Sequence, residues 1–177
     1  MTIDFEKVAR DKHIFYLPNL PLFTIYDDNF FVRNDYDILS VGQRQYLIRF
    51  FTDQGFKQTS GKLMVKDDIQ LHFPKPNRML AQSAFSEGYL REDHHNYFFI
   101  TPSTFAEVLF HLGLNESQED YLNLVKQLIN TCPINLELIR DINICNDLGP
   151  FINKSYKDLE HYQKQIIEQQ YKKKKAL

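Results

Sequence analysis

The pattern of apolar and polar positions changes character near residue 100. Before it, runs of aromatic and β-branched residues are broken by turn formers; after it, apolar residues recur at helical spacing. Residues 3–10 are expected to form a short helix with Phe5, Val8 and Ala9 on one face. The stretch 14–39, IFYLPNLPLFTIYDDNFFVRNDYDIL, is strand-like, and Pro18 and Pro21 mark its turns or edges. Residues 41–55 predict a helix: Val41, Tyr46, Leu47, Phe50 and Phe51 make its apolar stripe, Ser40 its N-cap and Gly55 its stop. Residues 56–60 and 62–73 predict two strands around Gly61, closed by the turn-forming FPKPNR. Residues 78–83 are ambiguous, and the short apolar run 97–100 is a candidate for one more strand.

From Thr101 the signal is helical. Thr101 caps, Pro102 takes the favoured first position, and Phe105, Val108, Leu109 and Leu112 line one side up to Gly113 and Asn115. Further helices are predicted over 118–130 (Tyr121, Leu122, Leu124, Val125, Leu128, Ile129), 135–144 (Leu136, Ile139, Ile142) and 157–174. In the last, Leu159, Tyr162, Ile166 and Ile167 form a thin stripe. There is no internal repeat and no long linker. The expected fold is therefore α+β, a mixed sheet in the N-terminal half with a helical C-terminal half. A single domain spans 1–177, strand-rich over 1–100 and helical over 101–177.

Composition bounds this picture. The 177 residues are 43% hydrophobic and include 15 Phe, 10 Tyr and no Trp, enough apolar material for one core without disulfides or a structural metal. Cys132 and Cys145 have neither zinc-site nor disulfide-framework spacing and are expected to be buried, reduced thiols. The first residues, MTIDFEKVARDKH, mix acids with bases and lack the apolar core of a secretory signal. No run approaches the roughly 18 apolar residues of a membrane span, so a cytosolic, bacterial setting is expected. With 21 basic and 23 acidic residues the formal net charge is −2, which argues against nucleic acid and membrane surfaces as partners. The Lys172–Lys175 block fits the last turn of a helix, where cations complement the negative pole.

The most pointed chemistry lies in Asp35-Tyr36-Asp37-Ile38. On a strand, residues two apart share a face, so Asp35 and Asp37 would be adjacent carboxylates suited to Mg²⁺. As a turn, NDYD would bond its own backbone instead. The order of this segment, a helix, Gly55-Phe56 and a strand ending DDIQLHFP resembles the small nucleotidyltransferase fold of antibiotic nucleotidyltransferases and of some bacterial toxins of toxin-antitoxin pairs. The similarity covers roughly residues 30 to 75. It implies that Asp35 and Asp37 bind metal and that the strand 69–73 supplies a third carboxylate. Gln70 stands where that acid is expected, and Asp68, taken to share a strand face with Gln70 and His72, is the substitute. The glycine pair that would approach nucleotide phosphates is absent from PLFTIYDDNFFV.

Other constellations are sparse. Glu92, Asp93, His94 and His95 fit a solvated loop better than a metal site. His111 is expected at a helix boundary, and Ser83, Ser86 and Ser103 lack a nucleophile elbow. Lys75, Arg78 and Arg91 with Phe85 and Tyr89 make one basic, aromatic loop. Two functions remain. The preferred one is a non-catalytic partner-binding protein of immunity, inhibitor or adaptor type, with a protein partner, no cofactor and an aromatic-rich surface. The alternative is a nucleotidyltransferase that uses Asp35, Asp37 and Asp68 with Mg²⁺ and a nucleoside triphosphate.

Overall fold

A computed structural model describes residues 2–26, 39–74, 83–142 and 147–170. The elements follow in the order α1 (Phe5–Arg10), β1 (Ile14–Tyr16), β2 (Leu22–Ile25), α2 (Val41–Thr52), β3 (Lys57–Ser60), β4 (Leu63–Lys66) and β5 (Ile69–His72). A 3₁₀ turn (Glu87–Leu90) leads to β6 (Asn96–Phe99), then α3 (Pro102–Asn115), α4 (Gln118–Thr131), α5 (Leu136–Ile142) and α6 (Leu148–Gln170). The six strands form one sheet in the order β1-β2-β6-β5-β4-β3. β6 runs parallel to both β2 and β5, and the remaining pairs are antiparallel. The expected α+β fold, a mixed sheet in the N-terminal half and helices in the C-terminal half, is what the chain adopts.

Local chemistry accounts for the boundaries. Ser40 and Gln43 form a reciprocal capping box at the start of α2, and the buried Gln43 Nε2 also donates to the Ile25 carbonyl at 3.1 Å, fixing the helix against the end of β2. Gly55 has φ 91°, a left-handed conformation that ends the turn after α2 and sends Phe56 into the core. Thr101 caps α3 through the Thr104 N–H, and Pro102 stands in the first turn where its missing N–H costs nothing.

Alternation along the strands divides the apolar residues between two cores. Phe23, Ile25, Met64, Ile69, Leu71, Tyr97 and Phe99 face α1 and α2, packing with Val8, Leu47 and Phe51. Phe15, Leu22 and Phe98 face the helical layer, where Phe105, Leu109, Val125, Leu128, Ile139, Phe151 and Leu159 interlock. No helix among the described residues is long and apolar enough to cross a membrane.

Three expectations are corrected. The strand predicted over 62–73 is two four-residue strands, β4 and β5, folded at Asp67-Asp68 with Lys66 paired to Ile69. Asp67 adopts φ 54°, the left-handed conformation a tight hairpin requires, which Asp tolerates better than most residues. The helix α3 ends at Asn115 as expected, but Gly113 is not part of that stop. It lies inside the helix at a close crossing, where a Cβ would stand 2.9 Å from Phe151 Cε1 and 3.0 Å from Tyr121 Cβ. Finally, α6 begins at Leu148 rather than near residue 157, so its buried face starts with Leu148, Phe151 and Ile152 before Leu159.

A candidate binding site on the open face of the sheet

The helical layer covers β1, β2 and part of β6, leaving the same face of β5, β4 and β3 outside both cores. Register places Lys57 beside Val65, Val65 beside Gln70, and Leu63 beside His72. Lys57 and Gln70 are exposed, while Leu63, Val65 and His72 are half-buried. On the opposite face of the same strands Met64 and Leu71 are fully enclosed. Among the described residues, one side of the sheet is thus filled and the other only partly covered.

A hydrogen-bonded chain of side chains borders this opening. His72 Nε2 lies 3.0 Å from Asn96 Oδ1, and Asn96 Nδ2 donates to Asp93 Oδ2 at 3.1 Å. Asp93 Oδ1 accepts the backbone N–H groups of His95 and Asn96 at 2.7 and 2.8 Å, which closes the loop ahead of β6. Partial burial raises the Asp93 pKa, but these hydrogen bonds to its charged form, aided by His95, outweigh burial and hold it below the ordinary carboxylate value. The Tyr97 hydroxyl is pushed up by burial and by the negative charges of Asp93 and Glu92. The His72 ring stacks on Phe98 with centroids 5.1 Å apart, and Tyr89 packs edge-on against Phe98 from the 3₁₀ turn.

Asp68 is the one proposed carboxylate within the described residues. It occupies the β4–β5 turn instead of the strand face with Gln70 and His72, and its Oδ2 meets His95 Nδ1 at 3.0 Å with both side chains largely exposed. Gln70 projects from β5 onto the open face. Asp35 and Asp37, the expected metal pair, lie outside the described residues, as do Lys75, Arg78 and Cys145. His94 Nε2 lies 3.8 Å from Glu92 Oε1, a separate contact from the His95–Asp68 pair. Among the described residues no group of three or more His, Cys, Asp or Glu side chains is placed to hold a metal ion.

The other sequence candidates have structural partners. Cys132 is a free, fully buried thiol whose pKa is pushed up by burial, and its Sγ faces the His13 carbonyl at 3.7 Å. Ser103 is buried and accepts the Asn135 N–H at 3.0 Å. The Ser83 hydroxyl donates to the buried Glu107 carboxylate, and His111 Nε2 stands 3.9 Å from the same oxygen with its ring stacked on Phe85. Among the described contacts, Glu107 holds the serine hydroxyl and His111 stands beside the same carboxylate. The sequence reading missed the His72–Asn96–Asp93 chain. Its only sequence signal was the alternation of Gln70 and His72 with apolar neighbours in IQLHF.

No family model, no curated protein and no solved structure matches this chain.

Proposed function

We propose that this protein is a non-catalytic binding protein of immunity, inhibitor or adaptor type, acting in a bacterial cytoplasm and docking another protein on the open face of β3, β4 and β5. One observation carries this reading: Gln70 is exposed and Val65 and His72 are half-buried on strands whose other face holds the fully buried Met64 and Leu71. A half-apolar, half-polar sheet face of this kind offers both desolvation and oriented hydrogen bonds to a partner. The Tyr and Phe surface favoured by the sequence contributes less, since among the described aromatic residues Tyr46 is the exposed one and the others are buried or half-buried.

The test compares the wild-type chain with Val65→Arg/Gln70→Arg, both verified as folded by circular dichroism, in affinity capture from the native host. The expected result is one protein recovered at stoichiometric amounts by the wild type and lost by the variant. Equal recovery by both, or nothing enriched by the wild type, would sink the proposal. Calorimetry with ATP, CTP and Mg²⁺ addresses the nucleotidyltransferase alternative. Binding that vanishes in Asp35→Ala/Asp37→Ala would replace the partner-binding reading with that one.

A further inference from the structure

We draw no further inference here: the strongest candidate, the surface patch on α2 where the exposed Tyr46 stacks on Phe50 and donates its hydroxyl to Asp11, carries nothing because nothing in the structure shows what covers it.

Discussion

Gln163 lies buried on α6 and grips a single residue with both ends of its amide: Nε2 donates to the Ile134 carbonyl and Oε1 accepts the Ile134 N–H, each at 2.9 Å. Ile134 is itself 1% exposed, so no water stands ready to replace that amide. Gln163→Leu should therefore lower unfolding free energy by about 2–4 kcal/mol, the cost of orphaning two buried backbone groups, as read from urea denaturation. A loss below about 1 kcal/mol would show that the α4–α5 connection relaxes to satisfy itself. In the sequence this glutamine is indistinguishable from Gln165, Gln169 and Gln170, because nothing local reports which polar residue of a polar run meets a distant backbone. Gly113 was misjudged for a related reason. A glycine after an apolar stripe reads as a helix stop, whereas here the absent Cβ is what lets α3 approach Phe151 and Tyr121. Replacing an interior helical glycine with alanine ordinarily adds about 1 kcal/mol of helix propensity. At this crossing the overpacking, about 1–3 kcal/mol, should prevail, so Gly113→Ala is expected to lower the thermal midpoint; a rise would mean that Phe151 swings aside freely.

Elements whose ends carry local chemistry were legible, and those shaped by distant contacts were not. Ser40, Thr101 and Pro102 announced their helices because a capping side chain and its backbone target lie within three residues. The hairpin at Asp67-Asp68 hid inside an apparently continuous strand, since it lacks the Asn-Gly or Asp-Gly pair that usually signals a two-residue turn. The same hairpin is why Asp68 lies in a turn beside His95 and not on a strand face with Gln70 and His72. The hairpin makes a direct prediction. Asp67→Gly removes the left-handed strain, while Asp67→Val imposes the full β-branched penalty of about 1–2 kcal/mol, so valine should be the less stable of the two by at least that amount. Equal stabilities would imply that the turn refolds into another geometry and shifts the register of β4 against β5. The His72 chain belongs to this scale as well. Asn96 and His72 sit 24 positions apart and meet only because β5 and β6 run parallel as neighbours, a pairing no periodicity announces.

Across the whole molecule the sheet is a shared wall, since neighbouring residues of one strand feed opposite cores: Leu22 and Phe23 on β2, Phe98 and Phe99 on β6. The change of pattern near residue 100 located the boundary between sheet and helices, but it concealed this mutual dependence, because strand-rich and helical stretches read as separable pieces. Phe15 and Phe105 make the dependence concrete. Their rings meet edge to face at 5.3 Å, joining the edge strand β1 to the first turns of α3, and Phe105 is completely buried. Phe105→Ala should cost about 3–5 kcal/mol. If 1–177 folds as one cooperative domain, that loss will appear equally in both halves: amide exchange of β5, which Phe105 does not adjoin in the sheet order, should accelerate as much as that of α4. Far-ultraviolet and near-ultraviolet dichroism should then trace a single coincident melting curve for wild type and variant alike. Acceleration confined to α3, α4 and α6, with β4 and β5 still protected, would instead divide the chain at residue 100 into two units of unequal stability. The open face bearing His72 would then belong to a subdomain that persists after the helical layer has melted.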